Sequence, residues 1–298
     1  MKPAPFEYHR PTSVAEATQL LADLGDGAKL LAGGQSLVPM LSLRLAVFDH
    51  LVDISRLDEM AGVERANGTL WVGAGTTESA VETDATVATA VPLLARATPL
   101  IGHLQIRNRG TVGGSIAHAD PAAEYPAVAL ALDAELEAES PRGRRVIPAS
   151  DFFTGFWSTA LEPDELLVGT RWPVWSGRCG FAVREIARRH GDFAIAGAAV
   201  GLELDADDRI RRAAIALFGM GATPVRATGA ESAVAGVALS EVSPEATGRK
   251  AVADLDEVPS DLHGSAAYRV RVGAAMVARA WVEAGAEALA AQEAPIDA

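Results

Sequence analysis

Two glycine pairs are the residues of this sequence best suited to hold a ligand. Ala32-Gly33-Gly34-Gln35-Ser36 follows an apolar run, and Thr111-Val112-Gly113-Gly114-Ser115 comes some eighty residues later. Paired glycines let a chain turn sharply and present successive N–H groups with no side chain in the way. Such a concavity binds phosphate or pyrophosphate oxygens. The hydroxyls of Ser36, Thr111 and Ser115 add donors. Two such loops suit a diphosphate held between two subdomains. Neither has the spacing of a P-loop or a dinucleotide-binding fingerprint, and there is no Walker lysine. A glycine pair alone is more often a plain turn. Two similar pairs in one chain, each beside hydroxyl residues, favour the ligand reading.

The elements around these loops are readable. Ser13-Val14-Ala15-Glu16 is a capping box, followed by Val14, Ala17, Leu20, Leu21 and Leu24 at helical spacing and a stop at Gly25. Lys29 to Ala32, Leu51 to Ile54 and Leu70 to Gly75 read as strands, with Thr76 or Thr77 capping a helix after the third. Alternating strand and helix signals make the first 60 or so residues a small α/β unit. A helix over Val87–Ala97 is interrupted at Pro92. A glycine-rich turn spans Gly110–Ser115, and Pro121–Leu132 reads as a helix with proline in its first turn. Ala134–Ala138 and Arg145–Ile147 form a hairpin, and Glu165–Trp172 is a strand. Trp175-Ser176-Gly177-Arg178 marks a boundary. Beyond it come three strands, Phe181–Ile186, Ala194–Leu204 and Ile210–Phe218, then helices at Ser243–Leu255 and Ser265–Ala291. That is an α+β layer.

Composition narrows the classes. The chain has 298 residues, enough for two domains, with 49% apolar and 22% charged residues. Acidic residues outnumber basic ones, 39 to 26, for a formal charge of −13, and only 5% are aromatic. Nucleic acid and anionic membrane surfaces are thereby disfavoured as partners. The single cysteine, Cys179, rules out an internal disulfide and any cysteine-ligated iron–sulfur or zinc site. His103, His118 and His190 lack metal-ligand spacing, and no metal site is expected. The start lacks a signal pattern, and the longest near-apolar stretch, Phe193–Leu202, falls short of the ~20 residues of a membrane span. A cytoplasmic location is expected.

The sequence resembles the flavin-binding medium subunit of the molybdenum hydroxylases, the group of aerobic carbon monoxide dehydrogenase and the xanthine dehydrogenases. The first glycine segment continues through Leu37-Val38-Pro39 to Arg44-Leu45, as in that family. Ile106-Arg107-Asn108-Arg109-Gly110-Thr111-Val112-Gly113-Gly114-Ser115 with Ala119-Asp120-Pro121 matches its second signature. Phe152-Phe153, Leu161 to Leu167 and Arg188 to Ala194 match further landmarks, in order over nearly the whole chain. The resemblance implies an α+β chain: a two-subdomain FAD-binding fold of the vanillyl-alcohol oxidase type over 1–177, divided near residue 60, then a smaller C-terminal domain over 178–298. It implies non-covalent FAD with its diphosphate between the glycine loops. Carried over by position, Lys29, Leu30, Leu31, Ala32, Gly33, Gly34, Gln35 and Ser36 hold FAD, with Thr111, Val112, Gly113, Gly114 and Ser115. Ile101 lies near the adenine or ribose, and Glu124 accepts from flavin hydroxyls as a carboxylate. Leu167 packs near the ring, Arg184 stands where relatives often have lysine, and Phe193 lies near one ring face. Read without the family, Ile101, Leu167 and Phe193 are ordinary core, Glu124 a solvated helix charge and Arg184 a surface strand residue.

The chemistry so implied is redox relay, with no nucleophile or general base in this chain. The resemblance assigns a [2Fe-2S] centre to a small subunit and molybdopterin to a large one, assembled as a dimer of heterotrimers, with electrons passed to an external acceptor. A self-contained flavin oxidase, a non-redox phosphate-ligand module and a structural subunit with a degenerate site are the alternatives. Flavin absorbance and substrate oxidation by the isolated chain discriminate among them.

Overall fold

The computed structural model describes residues 2–291. The helix Val14–Leu24 starts where the Ser13 hydroxyl accepts from the Glu16 N–H. The Glu16 carboxylate reaches back to the Thr12 N–H and hydroxyl at 2.7 and 2.9 Å, one residue before the partner a capping box predicts. Three short strands, β1 (Glu7–His9), β2 (Ala28–Leu31) and β3 (His50–Asp53), pair in parallel in the order β1-β3-β2. Parallel strands of one sheet need crossovers; the Val14–Leu24 helix lies in the one from β1 to β2, and the Leu37–Ser42 helix in the one from β2 to β3. Val14, Ala17 and Leu21 of the first helix are buried in one core with Val52.

The next sheet is antiparallel and comes from both ends of a long insertion. Its strands are β4 (Val63–Ala66), β5 (Thr69–Gly73), β6 (Glu135–Ser140) and β7 (Gly143–Pro148). After a small hairpin of β8 (Phe153–Gly155) and β9 (Ser158–Thr159) comes β10 (Leu166–Pro173). The order β4-β5-β10-β6-β7 puts β10 at the centre, where Trp172 is fully buried and its indole N–H donates to Thr170 Oγ1 at 2.7 Å.

Between β5 and β6 the chain runs through short helices. Pro92 does not kink one helix. It begins a second, so Ala85–Ala90 and Pro92–Ala97 are separate. Proline is well placed at a first helical position because it has no N–H to satisfy. The expected helix at Pro121 begins instead at Glu124. Asp120 holds the preceding turn, its Oδ1 accepting from the Ala122 N–H at 2.8 Å. The glycine-rich segment after Gly110 is not a turn but the start of a helix, Val112–His118, capped by Thr111.

The last unit is a meander of β11 (Arg178–Ile186), β12 (Ala196–Leu204), β13 (Ile210–Phe218) and the two-residue β14 (Val225–Arg226). Neither β14 nor the helix Thr228–Val234 after it was expected; both are too short to carry a period. The helices Pro244–Ala251 and Ala266–Ala290 back the sheet through a small-residue core of Ala198, Val200, Ala280 and Ala284. Close packing makes glycine necessary at Gly180. A Cβ there would overlap the Ala284 carbonyl oxygen and sit 2.7 Å from the Ala288 nitrogen. Backbone cannot swing aside as a side chain can. Overpacking a core costs about 1–3 kcal/mol, so Gly180→Ala should lower unfolding stability by at least that much. An unchanged denaturant midpoint would contradict this packing.

Candidate functional site

β2 leads straight into Ala32-Gly33-Gly34-Gln35-Ser36 and then the helix Leu37–Ser42. Gly34 has φ 74°, in the left-handed region open to glycine. Gly33 is required for a different reason. A Cβ on it would overlap the Arg109 carbonyl oxygen and lie 2.8 Å from the Gly110 Cα. A Cβ on Gly114 would lie 3.7 Å from that of Ala32. The fold therefore brings the two glycine segments into contact, backbone against backbone.

The segments differ in what they offer. Among the described residues, the N–H groups of Gly33, Gly34, Gln35 and Ser36 meet no protein acceptor. The second segment uses its own: Val112 N–H donates to Thr76 O at 3.0 Å and Gly113 N–H to Ala74 O at 2.8 Å. The Gly114 N–H donates to Thr111 Oγ1 at 3.0 Å, and the Ser115 N–H to Thr111 O at 2.9 Å. Gly113 permits close packing, since a Cβ there would run into Ala74. The expectation of two open amide concavities is thus corrected to one open row laid against a closed one.

Three acids, Glu78 and Glu124 buried and Glu185 half-buried, surround the junction. Glu78 is 4% exposed, and its Oε2 would stand 2.5 Å from a Cβ on Gly110. Burial pushes its carboxyl up to about 8. Glu124, at the start of the Glu124–Ala131 helix, is 6% exposed. Burial, and then the nearby Glu185, push it up to about 8. Burial thus works against the carboxylate form expected from sequence. Glu185, on β11, is pushed by burial up to about 7. One oxygen each of Glu78 and Glu185 is buried without a hydrogen-bond partner.

The other expected residues are scattered. Alternation along β11 sets Arg184 on the face opposite Glu185. Arg184 pairs with Glu283 at 2.5 Å and lines a groove with Pro92, Leu100 and Arg96, so it is separated from the acid cluster. Ile101 is half-buried, and its carbonyl accepts from Arg107 at 3.1 Å. Leu167 is core. Phe193 is 67% exposed, contrary to a core reading. Leu30 and Leu31 are half-buried beneath the first segment. The Lys29 ammonium lies 5.8 Å from the Phe48 ring. Nearby, His118 stacks on Trp157 at 5.9 Å, and burial lowers its pKa.

Sequence reasoning passed over Glu78 and Glu185. Glu185 had a signal: it continues the inward series Phe181 and Val183, both in the first core, so a charge falls where an apolar residue belongs. Glu78 follows the Thr77 cap and looks like any first-turn acid. A row of open N–H donors beside acids lacking partners fits a ligand that carries both a diphosphate and hydroxyl groups.

Residues 4–175 match the family of the FAD binding domain in molybdopterin dehydrogenase, and residues 181–284 the CO dehydrogenase flavoprotein C-terminal domain. The chain belongs to the FAD-binding medium subunits of the molybdenum hydroxylases, and is an oxidoreductase component. It is 43% identical to the 6-hydroxypseudooxynicotine dehydrogenase complex subunit alpha of Paenarthrobacter nicotinovorans, over 95% of this chain and 96% of that protein. It is 41% identical to the carbon monoxide dehydrogenase medium chain of Hydrogenophaga pseudoflava, over 94% and 97%. A solved structure of carbon monoxide dehydrogenase from that organism superposes with a TM-score of 0.93 over 96% of this chain and 99% of the other. No helix among the described residues is long and apolar enough to cross a membrane.

The acids give a pH signature to the flavin-free chain. Glu78, Glu124 and Glu185 bind their protons more tightly in the folded chain than an ordinary glutamate does at 4.5. Their contribution is complete below that value and is lost as pH rises through about 7 to 8. The melting temperature should therefore fall across this window, and Glu124→Gln should flatten the fall. An identical slope in both proteins would remove Glu124 from the cause.

Proposed function

We propose that this chain holds FAD non-covalently at the meeting of the two glycine segments and serves as the electron relay of a cytoplasmic molybdenum hydroxylase complex. The observation that carries this is the open N–H row of Gly33 to Ser36 beside an acid cluster in which Glu78 and Glu185 each bury one oxygen without a partner. Residues Lys29–Ser36 receive the diphosphate, and Thr111–Ser115 form the rigid wall behind it. Glu124 meets flavin hydroxyls. Glu185 takes the position on β11 that Arg184, paired with Glu283, does not fill. Ile101, Leu167 and Phe193 supply apolar contacts.

FAD accepts electrons singly and releases them in pairs, a reactivity that belongs to the cofactor. The protein's part is to hold, orient and shield it. Cys179 is the only cysteine, and burial pushes its thiol up to about 11, so no cysteine-ligated cluster assembles here. Electrons must therefore enter from another polypeptide, an iron–sulfur subunit that is itself reduced by a molybdopterin subunit where substrate is oxidised. The reading is supported by relatives named as medium chains and complex subunits.

The isolated chain should be yellow, free of iron and molybdenum, and bleached by dithionite but not by substrate. Adding both partner subunits should restore substrate-driven bleaching. Bleaching of the chain alone at a useful rate would instead make it a self-contained oxidase.

Two variants address the site. Gly33→Val should give folded protein with much less flavin, because its side chain pushes the first segment off Arg109 and Gly110. Glu124→Ala should weaken FAD binding roughly two- to tenfold, the loss of one hydrogen bond from a carboxyl that burial holds toward its neutral form. Full occupancy in Gly33→Val, or unchanged affinity in Glu124→Ala, would sink the corresponding assignment.

A further inference from the structure

Parallel pairing of β1 with β3 gathers three side chains that are far apart in sequence. Glu7 and His9 share one face of β1 by alternation, and the register sets His50 directly opposite Glu7. His9 Nε2 and His50 Nδ1 are 3.1 Å apart. Glu7 Oε2 lies 3.5 Å from His50 Nδ1 and 4.0 Å from His9 Nε2. We propose that Glu7, His9 and His50 bind one late first-row divalent cation of the zinc or cobalt type.

The geometry carries the assignment. A triangle with these sides has its centre about 2.1 Å from each corner, which is the bond length of zinc to imidazole nitrogen and carboxylate oxygen. The three ligand atoms already stand at coordinating separations. Two imidazoles and one carboxylate select zinc, cobalt, nickel or copper over magnesium and calcium, which prefer all-oxygen shells. Both histidines are half-buried and Glu7 is exposed, so the site opens to solvent and leaves water the remaining position. The separation of 41 residues between the histidines hides this from any spacing rule. Among the described residues it is the one group of three or more His, Cys, Asp or Glu side chains with converging ligand atoms. It lies on the parallel sheet that ends in the first glycine segment, so a bound ion would tie β1 into that sheet.

The test is titration of the untagged, chelator-treated full chain with zinc chloride, followed by calorimetry and by melting temperature. One zinc per chain and a raised melting temperature are expected, with no competition from excess magnesium. His50→Ala should weaken binding by more than the roughly ten- to hundredfold that loss of even an outer partner of a ligand brings. It should also abolish the melting shift. Glu7→Gln, at an exposed position, and His9→Gln keep the test open if His50→Ala does not fold. Cobalt should give a visible absorption band that these variants lose. No uptake by the wild-type chain, uptake unaffected by the variants, or equal competition by magnesium would each overturn the site.

Discussion

The side-chain-free contact of Gly33 with Arg109 and Gly110 is the constraint on which the rest of the site depends. The parallel sheet and the helical insertion are separate units, joined here by backbone touching backbone. Any Cβ would separate them by the thickness of a methyl group. This contact places the open amides of the first segment against the closed amides of the second. A row of unsatisfied N–H groups is unfavourable in a folded protein unless water or a ligand meets it. Keeping one segment internally bonded and one free confines that burden to four residues.

The acids extend the same logic. Glu78 packs on Gly110, Glu185 lies near Glu124, and all three acids are pushed toward the neutral form by burial. Elsewhere the fold pairs its buried carboxylates, as in Glu165 with Arg145 and Glu137 with Arg171. Among the described acids, Glu78 and Glu124 at the glycine junction are the ones that lie buried without a close ion pair. Burial without pairing is a mark of a site built for something other than stability.

Much of this was legible in the sequence. Ser13, Gly25 and the periodic apolar residues fixed the first helix, and long strands with clear alternation or continuous apolar runs fell within a few residues of their positions. Pro92 was legible as a break, with helix on both sides of it, and Pro121 as the start of a helix. That helix begins three residues later, at Glu124, because the Asp120 side chain holds the intervening turn. The glycine segments were readable as glycine segments, and their contact was not, because it is made by a carbonyl oxygen common to every residue. Arg184 and Glu185 are the converse: adjacent charges on one strand face opposite ways, and the alternation of Phe181 and Val183 already marks the face of Glu185 as inward. His9 and His50 meet through strand order, which carries no local signal.

The Glu287 carboxylate accepts from Arg96 at 2.5 and 2.6 Å and from the Phe181 N–H at 2.8 Å, while Arg96 also donates to the Phe181 carbonyl. β11 is an outer strand of its sheet. Its exposed backbone groups would ordinarily offer a template to any passing strand. Here an ion pair drawn from two other elements occupies both groups of one residue midway along that rim. The same few atoms that fasten the C-terminal helix to the flavin-binding region thus blunt the rim against strand-to-strand aggregation between copies.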